Sequence, residues 1–518
     1  MTTSAETKRR RLAILAVLAV IVLVVALQPG PADARAGGGH SFSGGSHGGG
    51  GSHGGGFSGG GFSSGSHYSG GGGSLGCGGF LFLIILVIVI LIVVAAVNKS
   101  RAAGGVPMLG GPAPPAPPGP PPADLEAIRA LDADFSAVLF RDFLFALYAR
   151  AHHARAIARD LDALAPYLSP AARQGLAARQ PVGLPVTAVV VGAMREVDVR
   201  VPAATAGGMP ADASIGVEAE FEANLTEGET GSQRMQYVRE RWRLVRAAGA
   251  KSRTPENVRS FHCPHCGAPF EPASPSEAER CAYCNEVVGG GRFDWSVQAI
   301  SVLEEDERPP ALTGTVEEEG TDDPTVFHPD LAARRAALLA DDPAATDEAL
   351  GARLALIYGE INAAWNSLDL TKARPFVSDS QFDYLQYWIE AYQHQGLRNV
   401  TQGVHMTRAT ITKVVRDRYY DAVTFRVWGT GPDYTIEQTS GKVVGGDPRR
   451  DRPYTEYWTL IRGAGARGKP STEKSCPNCG APLAINMAGE CEHCGAKVTS
   501  GRFDWVLSEI EQDDSYTG

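Results

Sequence analysis

Apolar and polar positions divide the 518-residue chain into stretches of different period. Two stretches are continuously apolar. Leu12–Leu27 follows the basic cluster Lys8–Arg11 and is closed by a Pro/Gly break and Ala34-Arg35-Ala36, the layout of a secretory signal peptide cleaved after Ala36 or, if retained, of a signal anchor. Residues 80–97, FLFLIILVIVILIVVAAV, carry no charge, Gly or Pro. At about 1.5 Å per residue they make about 27 Å of helix and predict a transmembrane span. Farther on the pattern becomes periodic. Phe135, Leu139, Phe143 and Leu147 recur every four residues and predict a helix with one apolar face within 124–164. Leu350–Trp365 and Gln381–Tyr392 read the same way. Val217, Ala219, Phe221, Ala223 and Leu225 alternate with Glu218, Glu220, Glu222 and Asn224, which predicts a half-buried strand, and Val423, Phe425 and Val427 repeat the alternation. Helices followed by strands predict an α+β fold with helices packed on one face of a mostly antiparallel sheet.

The order of blocks occurs twice. Asp160–Ser169 resembles Asp369–Ser378, ERWRLVRAAGAK from Glu240 resembles EYWTLIRGAGAR from Glu456, CPHCGAP from Cys263 matches CPNCGAP from Cys476, and GRFDW stands at both Gly291 and Gly501. Four blocks in one order point to an internal duplication. The expected domains are therefore a signal peptide (1–36), a Gly/Ser/His-rich spacer (37–79), the membrane helix (80–97), a Pro-rich linker (98–123), a first domain (124–308), an acidic linker (309–324) and a second domain (325–518). The spacer lacks the apolar surface needed to fold. The run PAPPAPPGPPP should be a semi-rigid polyproline stalk.

Eight of the nine cysteines form four Cys-x-x-Cys pairs, and Cys77 stands alone beside the apolar run. The first domain has Cys263, Cys266, fourteen intervening residues, then Cys281 and Cys284; the second has Cys476, Cys479, eleven residues, then Cys491 and Cys494. Two knuckles supply four thiolates to one tetrahedral ion, a closed shell suited to structural zinc. Two Zn2+ ions are thus expected, in ribbons at 261–290 and 474–500, with Pro264, Gly267, Pro477 and Gly480 favouring the tight turns. A rubredoxin-like iron site uses the same ligands, and a dithiol redox pair is a further alternative. Each ribbon is flanked by Trp-bearing strands (Trp242 and Trp295, Trp458 and Trp505), so it should replace the turn between the last two strands of its sheet.

Lys99 and Arg101 follow the membrane helix, and the positive-inside rule then places the C-terminal region in the cytoplasm, where thiols stay reduced. The net charge of −10 and the scattered Arg259, Arg280, Arg292, Lys474, Lys497 and Arg502 argue against a nucleic-acid partner. These cations are expected to offset the charge of the thiolate sites. His152-His153 near Asp160 is the one compact acid/base group, but Arg150, Arg155 and Arg159 suggest a solvated helix face. A nucleophile elbow, a P-loop, a dinucleotide fingerprint and an H-E-x-x-H helix are all missing from the sequence.

Asp433-Tyr434-Thr-Ile-Glu, Gly441–Asp447, Thr455–Arg462, Ala363–Leu370 and Trp505–Ile510 resemble the bacterial Tim44-like domain over 350–512, more weakly over 124–303. The resemblance implies a nuclear-transport-factor-two-like cone, a curved sheet wrapping helices around an apolar pocket. Its mitochondrial relative tethers a chaperone motor at an import channel, and bacterial relatives are described as lipid-binding or transport proteins. The cysteine ribbons depart from the family pattern. The expected function is that of a non-enzymatic, membrane-anchored adaptor for a protein partner. The alternatives are a carrier of lipid or another apolar ligand, with Tyr384, Tyr387, Trp388, Tyr392 and Trp428 around a pocket or simply in the core, and a cone-fold enzyme.

Overall fold

The structure is a computed structural model that describes residues 124–203, 208–229, 232–274, 277–307, 312, 320–513, 516 and 518. The expected signal peptide, spacer, transmembrane helix and Pro-rich linker lie outside the described residues. Among the described residues no helix is long and apolar enough to cross a membrane.

The first half opens with helices α1 (Ala137–Ala154), α2 (Ala158–Asp162) and α3 (Pro170–Ala177). Ser136 starts α1 by accepting from the Leu139 N–H, and Ser169 starts α3 by accepting from the Ala172 N–H with Pro170 in the first turn. Strands β1 (Val186–Arg200), β2 (Ser214–Glu227), β3 (Arg234–Ala247) and β4 (Ser296–Glu307) form an antiparallel sheet in the order β1-β2-β3-β4. The expected α1 stripe of Phe135, Leu139, Phe143 and Leu147 is buried against this sheet.

The second half repeats the plan with additions. Helices α4 (Leu331–Asp341), α5 (Asp347–Ser367) and α6 (Asp379–His394) precede β5 (Leu397–Val400), β6 (His405–Arg416), β7 (Tyr420–Thr430), β8 (Pro432–Glu437), β9 (Val443–Asp451), β10 (Tyr454–Gly463) and β11 (Val506–Gln512). One antiparallel sheet runs β11-β10-β7-β6, and a smaller one runs β5-β8-β9. The fold class is α+β with antiparallel sheets.

The same joints recur in both halves. Leu168 bridges Val297, with Ser169 N–H to the Val297 carbonyl at 2.9 Å; Val377 bridges Leu507, with Ser378 N–H to the Leu507 carbonyl at 2.8 Å. Trp242 pairs across strands with Ile300, and Trp458 with Ile510. Each Trp donates Nε1–H to the glutamate two residues before it, Glu240 at 2.9 Å and Glu456 at 2.8 Å.

β2 departs from its sequence pattern. Val217, Ala219, Phe221, Ala223 and Leu225 do face inward, but Glu220, Glu222 and Asn224 are buried as well. The alternation implied a solvated polar face; instead Arg195 and Arg241 ion-pair with Glu220 and cover it. The halves also pack on each other. Val190 and Tyr237 join the second half's core, while Tyr420, Ala422, Ile461 and Val506 join the first. Arg141 of α1 bonds Glu196 at 3.0 Å and reaches Glu509 of β11 at 3.6 Å. The end of the expected acidic linker lies on the second sheet, where buried Arg426 donates to the carbonyls of Asp323 at 2.7 Å and Gly320 at 3.0 Å.

Candidate metal centres

The four cysteine knuckles share one local geometry. The N–H groups of Gly267 and Asn285 close onto the carbonyls of Cys263 and Cys281, each at 2.9 Å. Gly480 and Gly495 do the same to Cys476 and Cys491 at 2.8 Å. The closing residue is left-handed in every case, with φ of 77°, 60°, 74° and 69° for Gly267, Asn285, Gly480 and Gly495. Three glycines and one asparagine are the residue types that tolerate this region. Each turn aims two thiols at one point. The knuckle turns anticipated at Gly267 and Gly480 are present, and those at Asn285 and Gly495 complete the set.

The eight predicted cysteines come together as two sets, Cys263, Cys266, Cys281 and Cys284, and Cys476, Cys479, Cys491 and Cys494, with the sulfurs of each set within 4.8 Å of one another. Cys263 and Cys284 Sγ are 3.9 Å apart, Cys266 and Cys281 4.0 Å, and Cys476 and Cys494 3.9 Å. A tetrahedron of sulfurs about 2.3 Å from a central ion has edges of about 3.8 Å, so both sets fit one four-coordinate ion. All donors are sulfur, and a filled tetrahedron leaves no position for substrate. The leading cysteine of each pair (Cys263, Cys281, Cys476, Cys491) is buried, while Cys266, Cys479 and Cys494 are exposed and Cys284 is half-buried. Each ion would therefore sit between a small apolar core and solvent. Those cores are Ala165, Phe270 and Val288 for the first centre, and Val498 with Leu483 and Ile485 for the second.

Each centre lies between the last two strands of its four-stranded sheet, β3 and β4 or β10 and β11. The repeated GRFDW block is the latch that returns the chain to the sheet. Gly291 and Gly501 accept from the Ala247 and Gly463 N–H groups, each at 2.8 Å. Asp294 and Asp504 accept from the N–H of the next residue at 2.7 and 2.8 Å. Trp295 lies under the Arg246 guanidinium at 5.0 Å, and Trp505 under that of Arg462 at 4.6 Å. Gly291 has φ of 82°, and a Cβ there would lie 2.7 Å from the Val245 carbonyl oxygen. Gly291→Ala is expected to cost about 1–3 kcal/mol of stability, read as a lower urea midpoint. At Gly501 the corresponding contact is 3.1 Å, so Gly501→Ala should cost less.

The cations near the knuckles have partners of their own. Arg259 pairs with Asp142, Arg280 with Glu277 at 3.1 Å, Lys474 with Glu360 at 2.6 Å and Lys497 with Asp379 at 2.8 Å. Arg292 donates to the Val287 carbonyl at 3.3 Å, and Arg502 lies over Phe503. Arg259, Lys474 and Lys497 tie the ribbons to α1, α5 and α6, while Arg280, Arg292 and Arg502 make local contacts. The Asn478 side-chain amide donates to Cys494 Sγ at 3.4 Å.

The histidine pair divides. His153 is exposed, with Nδ1 2.7 Å from the Val186 carbonyl. His152 is fully buried, which corrects the solvated-face reading. Leu144, Tyr148, His152 and Arg155 are spaced by four, four and three on the inward face of α1, so the apolar stripe carries His152 with it. His152 Nε2 lies 3.1 Å from Glu240 Oε2, and Glu240 also accepts from Arg179 and Trp242. Burial, with the Arg179 and Arg155 charges adding to it, holds the imidazole pKa well below its ordinary 6.5. With the Glu240 charge already shared by Arg179, the neutral ring donates Nε2–H. The signal for this network was the E-x-W spacing in both Trp strands. Of the proposed pocket aromatics, Tyr387, Trp388 and Tyr392 are core, while Tyr384 and Trp428 are half-buried.

Comparison with known proteins bears on part of the chain. No curated protein matches it. Among solved structures, an "Ntf2 like protein involved in plasmid conjugation" is similar at 7% identity over 73% of this chain and 97% of its own, with a TM-score of 0.15, a likeness too slight to bear on function. Residues 334–471 match the Tim44-like domain, a stretch that runs from α4 to just before Cys476 and so stops short of the second centre. The matched stretch holds α5, α6 and β5 to β10, and the chain is similar to the Tim44-like domain over those residues.

Proposed function

We propose that the protein is a membrane-anchored, non-enzymatic adaptor that presents two copies of a zinc-stapled module to a protein partner at the cytoplasmic face. The anchor in this reading is the apolar run 80–97. The two copies are residues 124–308 and 325–518, of the cone type that the Tim44-like match suggests for the second. Zinc is preferred to iron because a closed all-sulfur tetrahedron between two sheet strands suits a structural staple.

One observation carries the preference for an adaptor over a lipid carrier. Three of the five aromatic side chains offered for a ligand pocket are buried in their own module: Tyr392 meets Trp365 edge to face at 6.0 Å, and Tyr387 meets Trp388 at 5.2 Å. Recognition then falls to the surface, where two linked modules raise the effective concentration at a shared partner. The test is liposome flotation of the zinc-loaded full chain's soluble region, residues 124–518, with mass spectrometry of anything it retains, alongside cross-linking of the full chain in its membrane. Specific protein cross-links without retained lipid are the expected result. Saturable binding with recovered lipid would replace the adaptor by the carrier.

A further inference from the structure

We infer that the loop 178–185 is a lid over a guanidinium site in the first half, and that the lid's own Arg179 occupies this site until an arginine-like ligand displaces it. The loop joins α3 to β1. Its residues 180–183 are exposed, Val182 to 64%. Arg179 turns inward instead: its side chain is 6% exposed, and Nη1 donates to Glu240. The backbone of the loop is held at two further points, where Arg234 donates to the Gln180 carbonyl at 3.1 Å and the Gly228 N–H to the Pro185 carbonyl at 2.9 Å. Most of what fixes the loop to the interior is thus one side chain.

The Glu240 carboxylate divides its two oxygens between wall and lid. Oε2 accepts from His152 at 3.1 Å and Trp242 at 2.9 Å, both fixed in the core, while Oε1 accepts from Arg179. Glu227, the other completely buried carboxylate here, is taken by Arg155 and Arg234. Withdrawing Arg179 therefore leaves the buried Glu240 charge facing two neutral donors, an arrangement that demands a cation. Arg179 fills the place poorly. A guanidinium carries five N–H donors, yet this one spends Nη1 on Glu240, holds Nη2 3.5 Å from Glu305, and has no hydrogen-bond partner for Nε or Nη2 among the described residues. The completely buried Tyr148 hydroxyl has none either, and its ring lies 4.5 Å from that of His152 and 5.0 Å from that of Trp242. A guanidinium that arrives without the tether of the loop is free to adopt the forked, two-bond geometry on a carboxylate that Arg179 misses. An ammonium, compact and without that plane, fits less well. The way in runs past Glu305 on β4, whose side chain is 34% exposed, with Asp306 and Glu307 exposed beside it. That acidic rim draws cations toward the lid.

The test begins with the wild-type full chain. Hydrogen exchange in 178–185 is followed by mass spectrometry with methylguanidinium or an acetylated Gly-Arg-Gly amide added, and with tetramethylammonium and the Gly-Lys-Gly amide as controls. The expected result is that exchange rises about two- to fivefold with the guanidinium probes and not with the controls, because the ligand shifts the population toward the open lid. A response to the peptide assigns the ligand to an arginine of a protein segment, and a response to methylguanidinium alone assigns it to a free guanidino compound. R179A removes the competing side chain and should bind methylguanidinium about tenfold more tightly than the wild type in calorimetric titration. R179A/E240Q should lose that binding. A merely structural tie predicts that methylguanidinium fills the gap in R179A but leaves the wild-type loop as it was. Unchanged wild-type exchange with both guanidinium probes therefore overturns the proposal, and it does so even where R179A fails to fold. Binding by R179A/E240Q as tight as by R179A overturns it as well. Either failure leaves the adaptor and zinc readings untouched, since neither metal centre nor anchor enters the test.

Discussion

Cys491→Ser is expected to lower the melting temperature of the second module by about 10–20 °C and to reduce bound zinc from about two ions per chain to about one. Cys491 is 2% exposed and packs with Cys476 and Val498 in the ribbon's small core. That core is too small to hold the ribbon's fold, so the ion must supply the missing free energy. Tertiary structure transmits the loss. The ribbon leads into the latch at Asp504-Trp505, and Arg353 of α5 donates to the Trp505 carbonyl at 2.9 and 2.7 Å. Unfolding the ribbon therefore releases β11 and one wall of the core. Differential scanning calorimetry with elemental analysis decides the matter. A variant that melts with the wild type and still holds two ions would remove the structural role of this centre.

The second large effect is expected at Glu240. Its carboxylate is completely buried and accepts from His152, Arg179 and Trp242. Glu240→Ala removes the acceptor from three buried donors, one of them a guanidinium. Leaving a buried charge without its partner costs about 3–5 kcal/mol, and denaturant unfolding reads that directly. His152 adds a pH signature. Its folded-state pKa lies well below 6.5, mainly through burial. Below about pH 6.5 the unfolded chain therefore takes up a proton that the folded chain refuses, and stability falls as pH falls, by up to about 1.4 kcal/mol per pH unit. His152→Gln lacks this proton, so wild type and variant should converge as the pH is lowered from neutrality. A stability difference that is constant over that range would mean that His152 is charged in the folded protein.

The two four-cysteine sets were legible in the sequence because two-residue spacing is a local constraint: it brings two thiols close together whatever the rest of the chain does. Helices α1, α5 and α6 were legible for a similar reason, since their apolar period repeats over several turns. His152 was not. Its neighbours Arg150, Arg155 and Arg159 are charged, and the buried acceptors for His152 and Arg155, Glu240 and Glu227, lie 88 and 72 residues away in the sequence. The polar face of β2 failed in the same way, because the arginines that cover Glu220 come from the neighbouring strands β1 and β3.

By itself, the sequence determined the two four-cysteine sets, the repeated order of blocks, the α+β class and the likeness of residues 334–471 to the Tim44-like domain, all of which depend on spacing within short windows. Only the tertiary structure decided which polar groups are buried, that the halves share their cores, and that the cations beside the knuckles bind carboxylates such as Asp142, Glu360 and Asp379. The physical reason is that a charged group's fate depends on what the fold places opposite it. A buried ion or imidazole is tolerated only where a partner distant in the chain arrives to satisfy it, and no local pattern encodes that arrival.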